Sequence, residues 1–129
     1  MVLTMMCIIL LVACSAAYPS NEKLPPEELP VKITATQAKE IIAGGDAIVL
    51  DVRSPEEFAQ GYIEGAISMP VDEIEALVPA LITDKNQVIL VYCRAGNRSN
   101  IAALALSDMG FTQVFDFGGI LDWYGVIVE

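Results

Sequence analysis

The chain has 129 residues, 54% of them hydrophobic, with 17 acidic residues against 7 basic ones, a net charge of −10 and no histidine. That length suits one domain, and the acidic excess argues against a nucleic-acid or anionic-membrane surface. Without histidine, Cys–His nucleophilic dyads and Cys–His zinc clusters are excluded. Met1 to Ala17 carries no charged side chain. Its apolar stretch, Val2 to Val12, is too short for a bilayer, which takes about 20 residues. Small residues follow, Ala13 to Ala17, so residues 1–17 read as a signal peptide with a weak basic region.

Leu11-Val12-Ala13-Cys14 resembles the bacterial lipobox. That resemblance implies cleavage before Cys14 and a lipid on its thiol. It implies an exported protein of the periplasm or cell envelope that meets the membrane only through this anchor. A rival cut after Ala17 would release a soluble chain. Cys7 lies in the removed segment, so Cys93 is the only thiol left for sulfur or redox chemistry, and no intramolecular disulfide can form.

Residues 18–30 hold Pro19, Pro25, Pro26 and Pro30 among polar and acidic residues, which reads as an extended tether. The folded domain is expected over 31–129. Ile33 opens a short strand. Thr34 or Thr36 caps a helix that runs through Ile42 and stops at Gly44-Gly45. Ala47 to Asp51 is a continuous apolar strand ending in a carboxylate. Ser54-Pro55-Glu56-Glu57 is a helix start: a cap, a proline at the first position and acids in the first turn. Ala66 to Met69 is a brief extended piece. Val71, Ile74, Leu77, Val78 and Leu81 recur at helical spacing. Val88 to Tyr92 is a second buried strand, Asn100 to Met109 a helix, Val114 to Phe117 the last strand, and Ile120 to Trp123 a short terminal helix. Short apolar strands alternating with helices imply a parallel sheet covered on both faces. Ligands in such sheets bind beyond the carboxyl ends of the strands, where Asp51 and Cys93 both fall.

The stretch Cys93-Arg94-Ala95-Gly96-Asn97-Arg98-Ser99 carries the chemistry. A cysteine at a strand end is usually core filler. Here it faces a short loop that opens a helix, where backbone N–H groups and the helix dipole favour a thiolate. Gly96 permits a tight curl around the sulfur. Arg94 and Arg98 can attract an anion on a globally acidic protein.

Three stretches together resemble the single-domain rhodaneses: Leu50-Asp51-Val52-Arg53-Ser54-Pro55-Glu56-Glu57-Phe58 with Gly61-Tyr62-Ile63-Glu64-Gly65-Ala66-Ile67; the Cys93–Ser99 loop; and Gly118-Gly119-Ile120-Leu121-Asp122-Trp123. The resemblance spans Ile33 to Val128. It implies a three-layer α/β domain with about five mostly parallel strands and helices on both faces. It implies a sulfurtransferase that carries a persulfide on Cys93, needing no metal or organic cofactor. The donor would be a small sulfur-containing anion such as thiosulfate. The acceptor would be cyanide, a thiol or a partner protein. The loop residues Arg94, Ala95, Gly96, Asn97, Arg98 and Ser99 would cradle the outer sulfur. Asn97 either donates to a bound sulfonate or only fills the tight loop. Asp51 and Arg53 would form a supporting ion pair, Asp51 also being able to hold loop N–H groups, and Trp123 would be core or pocket wall. Four residues separate Cys93 from Arg98, one fewer than in the related cell-cycle dual-specificity phosphatases, which disfavours phosphatase activity. Tyr62 stands where the family commonly has His, and a packing position is expected there. The alternative from another class is a low-turnover sulfur carrier or redox-sensing binding module on the same fold.

Overall fold

The computed structural model describes residues 30–129. The expected signal peptide, Cys14 and all of the expected tether but Pro30 lie outside the described residues.

Five strands form an all-parallel sheet in the order β1-β6-β5-β2-β4: β1 (Val31–Lys32), β2 (Ile48–Asp51), β4 (Ile67–Ser68), β5 (Val88–Cys93) and β6 (Gln113–Gly119). Among the described residues four α-helices accompany it: α1 (Ala35–Ala43), α2 (Pro55–Ala59), α3 (Ile74–Leu81) and α4 (Asn97–Asp108). The expected α/β architecture is therefore present. β5 is central, and its alternation divides the core into two layers. Ile89, Val91 and Cys93 pack with Ile74, Val78, Ala102, Ala103 and Leu106 of α3 and α4. Leu90 and Tyr92 face the other way, with Ala38 of α1, Val49, Ile63 and Phe117. A strand buried on both faces needs apolar residues at every position, which is why Val88–Tyr92 reads as a run rather than an alternation.

Local chemistry sets the helix starts. Thr34, not Thr36, caps α1, in a reciprocal box with Gln37. Ser54 caps α2 in the same way with Glu57, and Pro55 occupies the first helical position. Two expectations shift. The strand expected from Ile33 lies at Val31–Lys32, although the Ile33 N–H still reaches the Asp116 carbonyl at 2.9 Å. The helix expected from Asn100 begins at Asn97, so Asn97, Arg98 and Ser99 form its first turn rather than loop.

One element was not expected. β3 (Tyr62–Ile63) pairs antiparallel with β7 (Ile127–Val128), outside the main sheet. Two-residue strands carry no periodicity for a sequence to reveal.

Candidate active site

Parallel pairing brings the strand ends together. Asp51 is in register with Tyr92, and Cys93 with Gly119, across a register irregularity between Val91 and Cys93. The cysteine thus stands at the carboxyl end of the central strand, with the start of α4 before it.

Cys93 is 1% exposed. Gly96 adopts a φ of +111° and caps α4, yet no side chain performs the usual capping hydrogen bond. The sulfur lies at this helix end, where the Gly96 N–H donates to Cys93 Sγ at 3.0 Å. Burial alone raises a thiol pKa. Here the Ser99, Gly96 and Ala95 N–H groups outweigh burial, and the net shift of Cys93 is downward. The Ser99 hydroxyl also lies near the sulfur. Its single proton has closer business with the carbonyls of Gly96, at 3.0 Å, and Gly118, at 3.3 Å, so the N–H groups are the dependable donors.

The two glycines before Ile120 have separate tasks. Gly118 has a φ of +84°, and its N–H donates to Asp116 at 2.9 Å. Gly119 lies so close to the loop that a Cβ there would overlap the Arg94 carbonyl and the Ala95 Cα. The sequence motif is a steric requirement of the loop.

Beside the loop, Asp51 is fully buried and Arg53 is 6% exposed. The Asp51 carboxylate accepts from the Arg53 N–H at 3.0 Å, from its Nε at 3.0 Å and from its Nη2 at 2.6 Å. It also accepts from the Tyr92 hydroxyl at 2.7 Å. That hydroxyl in turn accepts from the Ile63 N–H at 3.1 Å, and Arg53 Nη2 donates to the Gly61 carbonyl at 2.7 Å. Among the described residues, no N–H of the cysteine loop reaches Asp51. The pair instead ties the end of β2 to the residue preceding Cys93 and to the turn before β3. Burial first, and the Asp51 carboxylate second, push the Tyr92 phenol well above its ordinary range.

The two loop arginines differ. Arg98 is held by Glu57, Nη1 to Oε1 at 2.6 Å and Nη2 to Oε2 at 3.1 Å. The Arg98 guanidinium pulls the Glu57 carboxyl down to about 2. Arg94 is exposed, and among the described residues its guanidinium makes no hydrogen bond or ion pair. Ala95 and Asn97 are exposed and contribute no side-chain hydrogen bond within the described residues. Tyr62 stacks on Phe58, ring centroids 4.0 Å apart and 9° from parallel, which is a packing position. Trp123 packs on Phe117 at 5.6 Å, and its buried indole N–H finds no acceptor among the described residues.

Sequence reasoning passed over Tyr92 and Glu57. A phenol inside an apolar run signals a buried partner for its hydroxyl, and that clue was available. In sequence Glu57 reads as an acid in the first turn of α2. Its second role spans 41 residues to Arg98 and leaves no local trace.

Comparison with known proteins follows the same lines. The sequence profile of the rhodanese-like domain matches residues 34–125. The chain belongs to the rhodanese-like domain family. It is 41% identical over 73 residues to the thiosulfate sulfurtransferase PspE of Escherichia coli, covering 57% of this chain and 70% of that one. It is 35% identical over 81 residues to a sulfurtransferase of Allochromatium vinosum, covering 60% and 72%. A solved E. coli rhodanese with anions superimposes with a TM-score of 0.62 at 37% identity, covering 64% of this chain and 98% of that one. The matched residues include the sheet from β2 to β6 and the Cys93 loop at its carboxyl edge. Among the described residues no group of carboxylates and thiols is arranged to hold a metal ion.

Proposed function

We propose that this protein is a sulfurtransferase that moves sulfane sulfur from thiosulfate or a similar anion through a persulfide on Cys93. The observation that carries this reading is the cysteine sulfur at the N-terminus of α4, accepting the Gly96 N–H at 3.0 Å. The Cys93 thiolate attacks the outer sulfur of thiosulfate. A new S–S bond forms, the old one breaks, and sulfite leaves with the electron pair. The charge now rests on the terminal persulfide sulfur, within range of donors fixed before the reaction begins. An acceptor nucleophile then takes that sulfur, giving thiocyanate from cyanide, and the thiolate is restored. The name of the E. coli relative supports the thiosulfate reading, and that of the Allochromatium vinosum relative supports sulfur transfer.

The test is turnover from thiosulfate to cyanide by wild type and Cys93→Ser. Thiocyanate formed by wild type and abolished in the variant is expected. Equal rates in both would overturn the role of Cys93.

A second reading has its own observation. Leu121, Tyr124 and Val126 are 67%, 81% and 60% exposed. They follow Gly119 directly, and the Leu121 N–H reaches toward the Arg94 carbonyl at 3.5 Å. Exposed apolar side chains beside a sulfur-bearing loop suit a protein acceptor, as in a carrier with little turnover on cyanide. A relative in Bacillus subtilis bears the name putative sulfur carrier protein. Slow thiocyanate formation from a fully loadable Cys93 would select this reading. For location we keep export with a lipid on Cys14, supported by the apolar run before it. Lipid labelling lost in Cys14→Ser is the expected result, and labelling that persists would refute it.

A further inference from the structure

The Arg98–Glu57 pair joins the first turn of α4 to α2, and it is not built from Arg98 alone. Glu57 is the third residue of α2, and its Oε1 already accepts from the Ser54 N–H at 3.4 Å and the Ser54 hydroxyl at 3.2 Å. The helix cap therefore presents the carboxylate to the loop, and both guanidinium branches of Arg98 close onto its two oxygens. The side chains are 35% and 31% exposed, so the pair contributes little to stability in water. Its consequence for charge is larger. The segment from Arg94 to Ser99 carries two arginines, and Asp51 and Arg53 beside it already compensate each other. With Glu57 in place, one of the two loop charges is cancelled within hydrogen-bond distance.

We propose that Glu57 is a specificity-determining residue of this site: by engaging both branches of Arg98 it neutralises one loop cation and limits selection for anionic over uncharged reagents at Cys93. The link to sulfur donors rests on the sulfurtransferase reading above, whereas the electrostatic claim concerns the loop and Cys93 alone. Arg98 acts through position and charge, and Glu57 sets both.

The test is the ratio of Cys93 alkylation rates with iodoacetate, an anion, and iodoacetamide, its uncharged analogue. Both attack the same thiolate, so the ratio cancels any change in thiolate fraction or in stability. Rates are followed on the Cys93 peptide by mass, in the intact folded protein at low ionic strength. Glu57→Gln should raise the ratio about three- to tenfold, and added salt should shrink the gain. Glu57→Asp keeps the charge and should stay near wild type. The double variant Glu57→Gln/Arg98→Gln should return toward wild type. A ratio unchanged or lowered in Glu57→Gln overturns the proposal, as does a loop closed to both reagents. Thiosulfate loading of the same variants separates the two claims: a shifted ratio without loading leaves the charge role standing and removes the donor, and loading with an unshifted ratio does the reverse.

Discussion

A cysteine buried to 1% exposure is core filler unless its surroundings favour the thiolate. At Cys93 they do, because burial and hydrogen bonding oppose each other and hydrogen bonding prevails. The expected sign follows: the thiolate persists to lower pH than in an unfolded chain. Alkylation of Cys93 by iodoacetamide should rise with pH around a midpoint lower than that of the same thiol in the unfolded chain. A rate that keeps climbing like a free thiol would contradict the downward shift. Tyr92 sets a second expectation. Its hydroxyl is the only group of the described residues joining Asp51 to the Ile63 N–H. Tyr92→Phe leaves that N–H buried without its acceptor, a loss of about 1–3 kcal/mol. Urea denaturation should move its midpoint accordingly, and an unchanged midpoint would show that water or relaxation replaces the bond.

At the scale of elements, the site depends on close approach between the end of β6 and the cysteine loop. Gly119→Ala would drive a methyl group into the Arg94 carbonyl. The loop must then move, and the Gly96 N–H moves with it. Loss of at least tenfold in Cys93 alkylation or sulfur loading is expected, with the far-UV circular dichroism spectrum preserved. A fully active Gly119→Ala protein would show that the loop tolerates displacement. Sequence periodicity revealed much at this scale and missed some of it for physical reasons. Continuous apolar runs identified β2, β5 and the carboxyl-edge location of Asp51 and Cys93. The start of α4 was placed three residues late, because Asn97, Arg98 and Ser99 look like loop residues when no capping side chain precedes them. The cap residue is Gly96 at a φ of +111°, which gives no side-chain signal of a helix start.

Across the molecule, what the sequence conceals is contact between distant segments. Asp51 with Tyr92, and Glu57 with Arg98, each span 41 residues. Topology brings them together by laying β5 beside β2 and α4 beside the α2 turn. The expectation grouped Arg94 and Arg98 as anion-attracting neighbours, and the fold separates them by giving Arg98 a carboxylate partner. The net charge of −10 makes that distinction consequential, since a dianion such as the proposed thiosulfate donor would approach a repelling surface and depend on few local cations. The persulfide remains the central claim. The most direct measurement is the mass of the Cys93 peptide from folded protein before and after thiosulfate, beside Cys93→Ser. Expected is a gain of one sulfur atom at Cys93, removed by cyanide and absent in the variant. A reduced, folded protein that gains no sulfur would contradict it.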